Sequence, residues 1–258
     1  TSRFLVQEAV VDASRDWVCI RLLTYESETE YKFMENMLRV REGSLPNTVF
    51  CLLAPDGKTQ LARPARGPMN FRTPENLALQ MNKMLQQYQP TVSDSFVSPV
   101  PYVDRVDLAL NVAASDNRAL IVAFGTNEKE LAAINRKLQP LAWDPSVIGQ
   151  FMYAATTDVS ELKVLIGKNK SPGIFVVEPD EFGVSGTVTR HVALNAAGED
   201  ILAALKSGLQ AFTPFTKDHR RHIENGYTVG IQWESVVPES DPMSVQAKQR
   251  YKARFENR

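Results

Sequence analysis

The sequence predicts an α/β protein of two consecutive domains, each a central mixed sheet flanked by helices, followed by a C-terminal extension. Three observations predict it. Ser171-Pro172-Gly173-Ile174-Phe175-Val176-Val177-Glu178-Pro179-Asp180 runs from an X-Pro step through β-branched and aromatic residues into a Pro-Asp turn, and Leu45-Pro46-Asn47-Thr48-Val49-Phe50-Cys51-Leu52-Leu53-Ala54-Pro55-Asp56-Gly57 repeats that grammar. Around each, apolar runs of strand length alternate with segments whose apolar residues recur at helical spacing. Between them, Gln89 to Val103 is rich in Pro, Ser and Val and lacks a helical period, as an extended linker does. The resulting division is 1–90 (an abbreviated first domain), 91–104 (linker), 105–213 (second domain) and 214–258 (C-terminal arm).

A chain of 258 residues suffices for two modest cores. A net charge of -1 argues against nonspecific attraction to nucleic acid or to a membrane surface. No apolar run reaches about 18 residues, so no transmembrane segment is expected. No signal-type apolar region follows Thr1. The two cysteines, Cys19 and Cys51, form no C-x-x-C pair and sit in apolar runs, which predicts buried thiols. A disulfide between them would require an oxidising compartment.

In the first domain, Phe4 to Ala13 reads as a helix or edge strand, and Trp17 to Leu23 as a buried strand. Ser27 and Glu30 have capping-box spacing and open a helix with Tyr31, Met34 and Leu38 on one face and Phe33, Met37 and Val40 beside them. The Pro46 strand, Thr48 to Leu53, turns at Pro55-Asp56-Gly57 into a hairpin partner, Lys58 to Ala62. Arg63 to Phe71 is a loop. Thr73-Pro74-Glu75 starts a helix whose inward stripe is Leu77, Met81, Met84, Leu85 and Tyr88.

In the second domain, Leu108 to Ala114 reads as a helix and Ala119 to Phe124 as a fully buried strand. Asn127 and Glu130 cap a helix with Leu131, Ile134, Leu138 and Leu141 inward. Phe151 to Ala155 is the next strand, Val159 to Ile166 a short helix, and the Pro172 strand pairs across Gly183–Gly186 with Thr187 to Leu194. Leu202, Leu205, Leu209 and Phe212 mark the last helix.

Strand, helix, strand, helix, X-Pro strand, strand, helix is the element order of the thioredoxin-like fold, which residues 117–212 resemble at full length and residues 1–88 in shortened form. The resemblance implies cis bonds at Pro172 and Pro46, because the matching proline of that family is cis and borders the active site. It also implies a nucleophilic thiol at the start of the helix that follows the first strand, where the dipole lowers its pKa. Neither position has one: the first domain reads Thr24-Tyr25-Glu26-Ser27-Glu28-Thr29-Glu30 and the second Gly125-Thr126-Asn127-Glu128-Lys129-Glu130. The carboxylates there would oppose a thiolate. Tyr25, Glu26 and Ser27 could line a small polar pocket, but a cap and dipole role explains them more simply.

His219-Arg220-Arg221-His222 puts two imidazoles on one helical face, although the flanking arginines repel a cation. His191 falls on a strand in a surface or satisfied position. In the arm, Tyr227, Val229, Ile231 and Trp233 alternate with polar residues as a half-buried strand would, and Asp241-Pro242 opens a basic helix with Met243, Ala247, Tyr251 and Phe255 along one line. Tyr227, Trp233, Tyr251 and Phe255 are therefore the candidate partner-binding residues. These features favour a non-catalytic thioredoxin-like binding or structural subunit of a protein assembly, with a protein partner or a second copy and no cofactor. The alternatives are a divergent thiol-dependent redox protein using Cys19 or Cys51, and a metal carrier using His219 and His222.

Overall fold

Ala119–Phe124, six apolar residues without interruption, is buried along its whole length at the centre of a six-stranded mixed sheet. The computed structural model containing it describes residues 2–38, 45, 48–89, 98–167, 171–216, 218–232, 234–239 and 241–255. The chain divides into two units, Thr1–Val92 with Gln232–Arg258, and Ser93–Ile231. The stretch expected as one C-terminal arm is thus shared: up to Ile231 it belongs with the second unit, and from Gln232 with the first.

Ser93–Ile231 holds the sheet. In chain order come β1 (Tyr102–Val103), α5 (Val106–Asp116), β2 (Ala119–Phe124), α6 (Glu128–Ala142), β3 (Phe151–Thr156), a 3-10 turn (Val159–Val164), β4 (Leu165–Ile166), β5 (Gly173–Pro179), β6 (Gly186–Ala193), α7 (Gly198–Ala211) and α8 (His219–Thr228). The helices numbered before α5 belong to the first unit: α1 (Ser2–Leu5), α2 (Glu8–Ser14), α3 (Glu28–Leu38) and α4 (Pro74–Leu85). Across the sheet the order is β1-β3-β2-β5-β6-β4. β3 lies parallel to both β1 and β2, with Ile121 opposite Tyr153. β5 runs antiparallel to β2, with Val122 opposite Phe175, and antiparallel to β6, with a bulge at Val176/Val177.

Strands covered on both faces read as unbroken apolar runs. One face of β2 and β5 packs through Ile121, Ala123, Ile174 and Val176 against Ile134 and Leu138 of α6 and Ile201 and Leu205 of α7, all at most 3% exposed. The helix α5 is buried nearly all round and packs on β2, β3 and β5. It ends at Asn117, left-handed at φ 56, whose side chain accepts from Phe215 N (2.8 Å) and donates to Phe215 O (2.9 Å). The Asn127 side chain caps α6 by accepting from Glu130 N at 3.0 Å. The short helix expected over Val159 to Ile166 is a 3-10 turn followed by β4.

The Ser171–Pro172 bond is trans: among the described residues no peptide bond is cis. This corrects the expectation for Pro172, and follows the ordinary preference of an X-Pro bond, about 0.5–1 kcal/mol towards trans. Pro46, expected to be cis as well, lies outside the described residues. The alternation at Tyr227 to Glu234 also misled: Tyr227 closes α8 rather than a strand. Asp218 caps that helix through Arg221 N (2.9 Å), and Gly230, at φ 77, lets Ile231 N return to Gly226 O (2.8 Å). End signals at both termini outweigh a period-two pattern of four residues.

In the first unit α2 packs on α4, around Phe4, Val10, Ala13, Leu52, Phe71, Leu77, Ala78 and Met81. Phe4 to Ala13 is helical rather than an edge strand. Thr73 caps α4 by accepting from Asn76 N at 3.2 Å, with Pro74 first in the helix as the spacing predicted. The Pro46 hairpin is ragged: Leu61 N reaches Leu52 O (2.9 Å) and Phe50 exchanges two bonds with Ala65. Among the described residues it forms isolated bridges only, Phe50 with Ala65 and Leu53 with Gln60. Its turn is well made, with Asp56 accepting from Lys58 N, Thr59 N and the Thr59 hydroxyl, and Gly57 left-handed at φ 66.

Trp17 to Leu23, expected as a buried strand, is irregular, with Val18 84% and Ile20 73% exposed. A mostly apolar run specifies burial only when neighbouring strands are at hand, and none lies beside this one among the described residues. From Gln232 on, Val237 is buried and its N–H donates to Tyr25 O at 2.8 Å. The helix α9 (Pro242–Phe255) starts at Asp241, whose buried carboxylate accepts from Ser244 N and the Ser244 hydroxyl, both at 3.0 Å, and lies 3.6 Å from Arg66.

Candidate functional site

The thiol position expected from the sequence resemblance falls, in Ser93–Ile231, on the turn from β2 into α6. The β2–β5 register pairs Phe124 with Gly173, so one further step sets Gly125 opposite Pro172. On that register the X-Pro step lies across from the residues that lead into α6. His191 comes in from β6: its Nε2 lies 3.1 Å from Ser171 O and its ring 4.8 Å from that of Phe175. Sequence reasoning left His191 without a role at this end, and only strand pairing brings it there.

What stands at this turn is a closed hydrogen-bond set. The Glu130 carboxylate accepts from Thr126 N (2.8 Å) and the Thr126 hydroxyl (2.7 Å), which holds it below the usual carboxylate range. A Cβ at Gly125 would sit 2.6 Å from Leu131 N, so a cysteine could not stand there without moving the helix. An anionic thiolate beside the Glu130 carboxylate would be disfavoured in any case.

The corresponding stretch of the first unit behaves alike. Ser27 Oγ accepts from Glu30 N at 3.4 Å, and the Glu30 carboxylate accepts from Leu23 N rather than from its cap residue, so only half of the capping box forms. The Tyr25 hydroxyl is raised by burial and by nearby Glu239 and Asp241, and the Glu26 carboxyl is raised chiefly by burial. These groups serve the helix start and the docking of the C-terminal residues.

The cysteines are apart in kind. Cys51 is half-buried, and burial pushes its thiol up, away from reactivity. Cys19 is exposed, against the expectation of a buried thiol, with its Sγ 3.8 Å from Ser14 O. Both are free thiols. His222 is held: its ring stacks on Phe182 (4.7 Å, 21°) and its Nδ1 lies 3.2 Å from Glu181 Oε1. His219, one turn earlier, is exposed. Among the described residues no group of three or more His, Cys, Asp or Glu is placed to hold a metal ion.

Of the candidate partner-binding residues, Tyr227 ends α8 in Ser93–Ile231, while Tyr251 and Phe255 lie on α9 in the first unit. They do not form one arm. Trp233 lies outside the described residues. The helix α9 buries no residue, and its lysines turn to the preceding loop: Glu234 is 2.9 Å from Lys248 and 3.0 Å from Lys252, and those two cations hold its carboxyl at about 2. Within the described residues, no helix is long and apolar enough to cross a membrane.

Compared with models of protein families, with curated proteins and with solved structures, the chain matches none.

Proposed function

We propose that this chain is a non-catalytic tandem thioredoxin-like protein, a binding or structural subunit of a protein assembly. The thioredoxin-like reading of Ser93–Ile231 is supported by the order β2, α6, β3, turn, β5, β6, α7, with an X-Pro step entering β5. The non-catalytic reading rests on one observation: the turn where a nucleophile would stand is filled by Gly125, Thr126 and the Glu130 carboxylate. A scaffold kept without its sulfur chemistry retains surfaces and edges, and a fold by itself assigns no reaction. Size-exclusion chromatography with light scattering, joined to a native pulldown, tests the proposal. A higher-order species or a stoichiometric protein partner is expected. A strictly monomeric chain that captures no partner removes the reading.

A second reading draws on the exposure of Cys19: thiol-dependent chemistry in the irregular stretch after α2. Disulfide reductase activity that disappears in Cys19→Ser, but survives Cys51→Ser, would establish it.

A further inference from the structure

The first unit is built from two stretches far apart in the chain, Thr1–Val92 and Gln232–Arg258. The later stretch carries its own bracing. Glu234 lies 2.9 Å from Lys248 and 3.0 Å from Lys252, Glu239 lies 3.6 Å from Lys248, and Asp241 caps α9 through Ser244 N. The cleft between residues 234–239 and α9 is lined by residues of this stretch alone. No residue of α9 is buried. Two anchors reach Thr1–Val92. Val237, 7% exposed, donates its N–H to Tyr25 O at 2.8 Å, and Asp241, 3% exposed, sets its carboxylate 3.6 Å from the Arg66 guanidinium.

The groups that receive these anchors recognise chemistry that other chains also carry. The Tyr25 carbonyl accepts a backbone N–H, the seat beneath Val237 takes a β-branched side chain, and the exposed Arg66 side chain meets a carboxylate. A stretch braced on itself by exposed ion pairs, with a helix that buries nothing, can lift away without opening a core. A covering segment on a tether competes as though present at roughly millimolar concentration, so it closes the surface beneath it until its anchors are loosened or outbid. We propose that residues 234–255 are a strap over a docking surface at Tyr25 and Arg66. That surface accepts an extended segment of a partner protein bearing a β-branched residue and, four positions later, a carboxylate, as Val237 and Asp241 are spaced. This names the surface through which the subunit proposed above would join its assembly, and it rests on that reading.

Fluorescence anisotropy of a labelled synthetic peptide carrying residues 235–243, added to the full chain, tests it. The unaltered chain is expected to bind the peptide weakly. The variant Val237→Asp/Asp241→Ala, which loosens both anchors, should bind it more tightly by about tenfold or more. Adding Arg66→Glu to that variant should remove the gain, and a scrambled peptide should bind neither. Equal affinity in the unaltered chain and the loosened variant, or binding to neither, would overturn the proposal. Amide exchange at Leu77–Met81 should be as slow in the loosened variant as in the unaltered chain. Fast exchange there would make residues 234–255 part of that core and overturn the strap. A dimer of the unaltered chain that disappears in the loosened variant would assign the surface to the segment of a second copy and overturn the partner protein. An assembly seen by light scattering in a chain whose loosened variant takes no peptide would leave the subunit reading standing and remove this one. Peptide capture by the loosened variant of a chain that neither assembles nor retains a partner would keep the surface and remove the subunit reading.

Discussion

Gly173 shows most sharply how a single residue decides geometry here. At φ 153 it occupies backbone space that is open in practice to glycine alone, and a Cβ there would lie 2.1 Å from Val192 O and 2.9 Å from His191 Nε2. Gly173→Ala should therefore destabilise by about 2–3 kcal/mol or more, read from chemical denaturation, with β5–β6 exchange rising first. Gly208 is a milder case: its Cβ would meet a Val176 methyl at 2.5 Å, so Gly208→Ala should cost about 1–3 kcal/mol by overpacking α7 on β5. A glycine in a sequence announces permissiveness, but which neighbour lies above it emerges only from packing.

Elements here are held by their ends as much as by their faces. Asp241 is 3% exposed and satisfies two donors at the start of α9, a helix that buries nothing of its own. Asp241→Ala should cost about 1–2 kcal/mol and make α9 the first site of limited proteolysis. Glu234 adds the second tether. Its carboxyl is depressed to about 2 by Lys248 and Lys252, so its contribution is present above the ordinary carboxylate range and fades as pH falls towards that value. The pair is exposed, so the effect should stay below about 1 kcal/mol and shrink with added salt. Exchange in α9, followed from pH 6 to pH 2 at low and high ionic strength, checks both signs. In α8 the Phe182–His222 stack fixes the helix to the β5–β6 turn, and His222→Ala should raise exchange across His219–Thr228 without affecting β2.

At the scale of the whole molecule, the division into two units has a direct consequence. Ser93–Ile231 contains a six-stranded sheet with its own core, so a fragment of those residues should fold and unfold cooperatively, as followed by far-ultraviolet circular dichroism. Much of that unit was legible in advance. The run Ala119 to Phe124, the cap Asn127 and the stripe Ile134–Leu138 are local signals, set by residue type and spacing, and each formed where it was read, as did the cap Thr73 in the first unit. The candidate site was legible as a position, since residue identity alone excluded a thiol at Gly125 to Glu130. Its contents were not, because His191 comes 20 residues after Ser171 and reaches it only across a strand ladder. Patterns whose outcome depends on a neighbour misled: Trp17 to Leu23 reads as a strand but lacks described strands to pair with, and the alternation from Tyr227 yielded to Asp218 and Gly230. What the sequence determined by itself, then, is where the well-capped helices α4 and α6 begin, which segments are apolar runs, and that no cysteine stands at Gly125 to Glu130. Tertiary structure alone decided which apolar run is covered and which histidine meets which strand, because burial and cross-strand contact belong to pairs of segments, and no single stretch of chain encodes its partner.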